Sequence, residues 1–176
     1  MLRYAAVYGG ISGAIIIGVM TVCFYLSGNK GMATSMWLGY LVMILTLSLI
    51  FIGMKRYRDR EKGGVISFWP ALGLGATMAA AAALVYALVW EAYLAAIDYT
   101  FIESYTAGVI EQKKAKGLDG AALQAEIENM AAFAKSYANP LFRLPVSFLE
   151  LFPVGLFVAL ISAAILRNPK AFPARA

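Results

Sequence analysis

Apolar residues dominate four runs of the chain, over residues 4–26, 36–54, 69–97 and 141–166, and polar positions collect between them. About 20 apolar residues in a helix cross a hydrocarbon layer of about 30 Å, so each run is long enough to span it. The pattern predicts an all-α integral membrane protein with four transmembrane helices, 4–27, 36–54, 67–97 and 141–166, in a single membrane domain covering 1–176. Arg3 precedes the first run and the turn-prone Ser27-Gly28-Asn29-Lys30-Gly31 follows it. The first run is longer than a signal-peptide core and has no clear small-residue cleavage motif, so it is expected to stay in the mature protein. The second run stops at the basic cluster 55–62, followed by Gly63-Gly64. Ser67 is placed to cap the third helix, with Pro70 in its first turn, and Asn139-Pro140 opens the fourth.

The stretch 98–139 departs from this pattern, with six acidic residues and four lysines. Phe101, Tyr105 and Val109 recur at intervals of four, and Leu123, Ile127, Met130, Ala134 and Tyr137 at threes and fours, so each set forms one stripe of a helix. Gly117-Leu118-Asp119-Gly120 separates them as a turn. The expectation is a helical hairpin between helices 3 and 4. Its side follows from charge: Arg3, the five basic residues of 55–62, and Arg167, Lys170 and Arg175 lie on one face of the membrane if all four runs cross it. Short basic segments are retained in the cytoplasm. Both termini are therefore expected there, and the hairpin outside the cytoplasm.

Composition agrees: 61% of residues are hydrophobic and 14% charged, where a soluble domain is nearer half apolar and a quarter charged. The net charge of +5 sits between apolar runs rather than on one polar face, which argues against nucleic acid as a partner. Cys23 is the only cysteine and histidine is absent, which rules out an intrachain disulfide, a thiolate cluster, histidine-based nucleophile pairs and histidine metal sites. No cofactor or metal is expected. Gly63-Gly64 lacks the spacing of a phosphate-binding loop.

Small residues recur every fourth position in three helices: Gly10, Ala14 and Gly18; Gly75, Ala79 and Ala83; Gly155, Ala159 and Ala163. Such stripes let backbones approach closely in lipid, either inside one subunit or at a dimer face. Two carboxylates interrupt the apolar runs, Glu91 and Glu150, and intramembrane ionisable groups mark candidate sites. Arg143 stands two turns before Glu150 on the same helix face. These three residues make a candidate polar pocket, or an ion-pair network that joins helices 3 and 4. Pro153 is expected to bend the fourth helix beside Glu150. Trp90 and Tyr93 fit an interfacial belt. Lys55, Arg56, Arg58, Arg60 and Lys62 are candidates for contact with anionic lipid headgroups, although a role in topology suffices for them.

The strings Gly39-Tyr40-Leu41-Val42-Met43, Ser48-Leu49-Ile50-Phe51-Ile52-Gly53, Lys55-Arg56-Tyr57-Arg58-Asp59, Gly63-Gly64-Val65-Ile66-Ser67-Phe68, Trp90-Glu91-Ala92-Tyr93, Asn139-Pro140 and Phe148-Leu149-Glu150-Leu151-Phe152-Pro153-Val154-Gly155 follow one another in an order that resembles the bacterial domain-of-unknown-function family 4199. The resemblance runs from the first helix to the end of the fourth. It implies a bacterial multi-pass membrane protein and brings no activity, ligand or catalytic residue with it. Function is thus expected to be non-enzymatic: packing in the bacterial inner membrane with lipids, a homo-oligomer or another membrane subunit. The alternatives are a small transporter or channel subunit using the carboxylates, and a lipid-acting membrane enzyme.

Overall fold

A computed structural model describes residues 1–26 and 36–173. The expected turn 27–31 with Lys30, and Arg175 in the tail, lie outside the described residues. Regular structure among the described residues is entirely helical. The order is α1 (Leu2–Tyr4), one π-helical turn (Ala5–Gly9), α2 (Gly10–Leu26), α3 (Met36–Leu47), α4 (Leu49–Glu61), α5 (Phe68–Ala96), α6 (Phe101–Ala115), α7 (Gly120–Tyr137) and α8 (Pro140–Leu166). Four stretches are long and apolar enough to cross a membrane: Leu2–Val22, Gly39–Glu61, Phe68–Ala96 and Pro140–Leu166.

Local chemistry sets the ends. Asn139 is extended and its side-chain oxygen accepts from the Leu141 N–H at 3.0 Å, with Pro140 in the first turn where no N–H is required. Ser67 also stands extended before α5, but its side chain makes no capping bond, so that expectation fails. The second span does not stop at Met54. It continues as helix through the basic cluster to Glu61, because Lys55 and Asp59 pair one turn apart at 2.5 Å and arginine is a good helix former. Gly63 and Gly64 end it with φ of 60° and 87°. At Ser48 the same span loosens where the hydroxyl donates to the Leu45 carbonyl at 2.6 Å, while Ser48 N–H still donates to Ile44 O. α8 runs unbroken across Pro145 and the exposed Pro153.

α5 lies at the centre, and its longest seam is with α8. The two run antiparallel: Gly75 meets Ala159, and Ala79 meets Gly155. A Cβ built on Gly75 would lie 2.6 Å from that of Ala159, and one on Gly155 2.8 Å from that of Ala79. Ala83, Ala159 and Ala163 are fully buried. The stripes of helices 3 and 4 thus close on each other inside one subunit.

Helix 1 behaves differently. Gly10 and Gly18 have open space where a Cβ would go, and Ala14 is exposed, so this stripe is not packed against any of the described residues. Gly9 and Gly13, on an adjacent face, take that place: a Cβ on either would run into the α5 backbone at Met78 or Ala82. The shift is legible in the buried set Ser12, Ile16 and Ile17, on the same side as Gly9 and Gly13. Ser12 ties this face to its own helix and to the next span, donating to Tyr8 O at 2.8 Å and Thr46 O at 3.4 Å.

Gly75→Val forces new atoms into the α5–α8 seam and is expected to cost about 1–3 kcal/mol of stability. Gly10→Val, facing open space, is expected to stay within about 0.5 kcal/mol of the parent. Unfolding of the two variants in the same detergent checks both values.

Candidate functional site

Followed away from the small-residue contacts, the α5–α8 register brings Glu91 opposite Arg143. The Arg143 guanidinium is 2% exposed, and its Nε donates to Glu91 Oε2 at 2.7 Å while Nη2 donates to Glu91 Oε1. This two-pronged arrangement matches the planar fork of arginine to a carboxylate. Nη1 turns the other way and donates to the carbonyl of Tyr137 at 2.7 Å, with Ala138 O at 3.5 Å. Those carbonyls sit at the C-terminal end of α7, where unpaired C=O groups and the helix dipole favour a cation.

Two tyrosine rings complete the enclosure. The guanidinium carbon lies 4.9 Å from the Tyr99 ring centre and 5.6 Å from that of Tyr137. Tyr99 gets there through a left-handed turn: Asp98 and Tyr99 have φ of 51° and 56°, a region that non-glycine residues rarely adopt. The turn is held by the Tyr99 N–H donating to Leu94 O at 2.9 Å, and its hydroxyl donates to Glu91 Oε1 at 3.3 Å. Tyr137 in turn accepts a hydrogen bond from Trp90 Nε1 at 2.8 Å, and burial pushes its phenol above the ordinary tyrosine pKa.

α6 and α7 pack together above this point. Ring contacts run from Trp90 to Phe101 (4.9 Å), Phe101 to Tyr105 (5.8 Å), Tyr105 to Phe133 (6.5 Å) and Phe133 to Tyr137 (5.5 Å). Nearer the connecting turn, Lys113 pairs with Glu126 at 2.6 Å. A cleft of about 470 Å³ opens beside the clamp, with Tyr99, Ile102, Tyr137 and Arg143 among its lining residues.

Glu150 is not part of this constellation. It is exposed, two turns farther along α8, and its hydrogen bond comes from the Tyr86 hydroxyl at 3.4 Å. The structure joins Glu91 to Arg143 and leaves the third member of the expected pocket apart. Tyr99, Tyr86 and the α7 carbonyls were not anticipated.

The basic cluster is also divided. Arg58 is fully buried and does not reach headgroups: Nε donates to Asp59 Oδ1 at 2.8 Å, Nη1 to Ala171 O at 3.0 Å and Nη2 to Phe172 O at 2.5 Å. Arg56, Arg60 and Lys62 are exposed, with Arg56 donating to the Tyr8 hydroxyl at 2.9 Å. Lys55 is half-buried against Asp59. No group of three His, Cys, Asp or Glu side chains suited to a metal occurs among the described residues.

Arg143→Gln strands the partly buried Glu91 and the α7 carbonyls and is expected to destabilise by about 3–5 kcal/mol. Glu91→Gln keeps a hydrogen-bond acceptor for the guanidinium and is expected to cost less than Arg143→Gln. Thermal unfolding of the single and double variants, compared as a cycle, measures the coupling.

No curated protein and no solved structure matches the chain. The family model described as "Protein of unknown function (DUF4199)" matches residues 7–168. That match covers nearly the whole chain, including most of the first apolar span, the other three entire and both members of the Glu91–Arg143 pair, so this protein belongs to the DUF4199 family.

Proposed function

We propose that this protein is a non-enzymatic multi-pass subunit of the bacterial cytoplasmic membrane that works through contacts with lipid, with a second copy of itself or with another membrane subunit. The observation that carries this reading is the saturation of the charged centre that joins α5, α7 and α8. Arg143 spends its fork on Glu91 and its remaining arm on α7 carbonyls, and no buried side-chain polar atom among the described residues lacks a partner. A closed clamp of this kind orients helices; it does not present a free base or nucleophile to a substrate.

The surfaces left over are suited to contact. Gly10, Ala14 and Gly18 form an outward stripe on α2 that lets a second helix approach closely. The α6/α7 pair carries the acidic and lysine side chains beyond the spans. With Arg56, Arg60 and Lys62 at the cytoplasmic end, the charge pattern supports both termini inside and the α6/α7 pair as an extracytoplasmic contact surface.

Two measurements test this in the full-length protein with Cys23→Ser as background. Ala121→Cys is expected to react with a membrane-impermeant maleimide on intact cells, and Lys62→Cys only after permeabilisation; labelling of both from one side overturns the topology. Ala14→Cys is expected to form disulfide-linked dimers when native membranes are treated with the oxidant copper phenanthroline. Monomers alone, in crosslinking and in native mass spectrometry from nanodiscs, overturn the self-association.

A further inference from the structure

Glu150 has no role in the clamp, yet its setting is unusual for a carboxylate. It lies ten residues into α8, about 15 Å from Pro140 and about 10 Å deeper than Arg143. Exposed apolar side chains border it: Leu149 is 60% and Phe157 62% exposed, with Pro153 between them. Among the described residues no lysine or arginine nitrogen comes within 4 Å of it, and its one hydrogen-bond partner is the Tyr86 hydroxyl, on a side chain 2% exposed. The other titratable groups near this part of the bundle are Tyr137 on α7 and the Glu91–Arg143 pair, which is closed on itself. α2 and α3 carry no Asp, Glu, Lys or Arg, and their titratable groups are Cys23, Tyr25 and Tyr40. The charges of α4 lie at the far, basic end.

A carboxylate facing hydrocarbon without a cation is unstable, and something must neutralise it. A lipid amine would have to descend about 10 Å below the level of Arg143. The proton is the ligand small enough to reach it without that penalty. We propose that Glu150 is a proton-binding site open to the bilayer, whose occupancy is read by the Tyr86 hydroxyl and passed to α2.

The second half rests on Tyr86. Its single hydroxyl hydrogen has two acceptors, Glu150 Oε2 at 3.4 Å and the Met20 sulfur at 3.5 Å. With Glu150 ionised, Tyr86 donates to the carboxylate. With Glu150 protonated, the acid donates to the Tyr86 oxygen, and the phenolic hydrogen turns to Met20 on α2. Proton binding on α8 is thereby coupled to helix 1 through one rotating hydroxyl. This site requires only that α8 spans the bilayer and is independent of the subunit role, so either can fail alone.

Dicyclohexylcarbodiimide, a lipophilic reagent, tests it on the full-length protein in phosphatidylcholine nanodiscs. It reacts with a protonated carboxyl: the acid proton goes to one nitrogen, the carboxyl oxygen adds to the central carbon, and the acyl group migrates to nitrogen, retaining the whole reagent. Peptide mass mapping is expected to find the adduct on Glu150 at neutral pH, falling at alkaline pH, absent in Glu150→Gln, and about tenfold above any adduct on Glu91. Tyr86→Phe removes a donor to the ionised form and is expected to move half-labelling upward by about one pH unit. Folded protein without a Glu150 adduct at neutral pH, or a yield that does not vary with pH, overturns the site. An adduct that forms only after detergent separates copies of the chain overturns its access to lipid. An unmoved midpoint in Tyr86→Phe overturns the coupling to α2.

Discussion

The close approach of α5 and α8 is the constraint from which the rest of the bundle follows. Lipid offers no hydrophobic drive for two helices to associate, so they stay together through direct contact and polar links. Gly75 against Ala159 and Ala79 against Gly155 bring the backbones near enough that a single extra carbon collides. That fit admits one register. With it fixed, Glu91 meets Arg143 about three turns from the Ala79–Gly155 contact, and Tyr86 meets Glu150 in between. The chemistry of the site is therefore a readout of packing set by alanine and glycine.

Two buried arginines close the ends. Arg143 binds a carboxylate on α5 and carbonyls at the end of α7; Arg58 binds its neighbour Asp59 and the carbonyls of Ala171 and Phe172 after α8. Both take a cation out of water and spread its hydrogens over one carboxylate and main-chain oxygens. In both places the carbonyls lie at or beyond the C-terminal end of a helix, where they have no helical partner. Phe172, at φ of 53°, also sets its ring edge-on to Phe51 at 5.3 Å, so the grip on the tail is both polar and aromatic.

Much of this was legible in the sequence. The four spans follow from uninterrupted apolar runs, and the meeting of Glu91 with Arg143 follows from their similar depth on neighbouring helices. The face of helix 1 was not legible, because a helix that is apolar all round gives no amphipathic signal to choose between Gly10-Ala14-Gly18 and Gly9-Gly13. Arg58 looked like its neighbours in a basic run; its burial depends on a tail more than a hundred residues later. Glu150 and Arg143 share a helix face, but two turns of rise separate them, and α5 offers a tyrosine at one level and a glutamate at the other. Tyr99 was hidden because the left-handed turn at Asp98-Tyr99 carries no glycine to announce it.

The long sequence separations of these grips bear on how the chain is made. Glu91 is synthesised 52 residues before Arg143, and Arg58 113 residues before Ala171. During insertion, the third span enters the bilayer with a carboxylate that lacks its guanidinium, and the second with a guanidinium that has only Asp59 beside it. Each remains without its distant partner until α8 and the residues just behind it leave the ribosome. The nascent bundle is thus a set of waiting halves, and the stretch from Arg143 to Phe172 is the one that locks both ends.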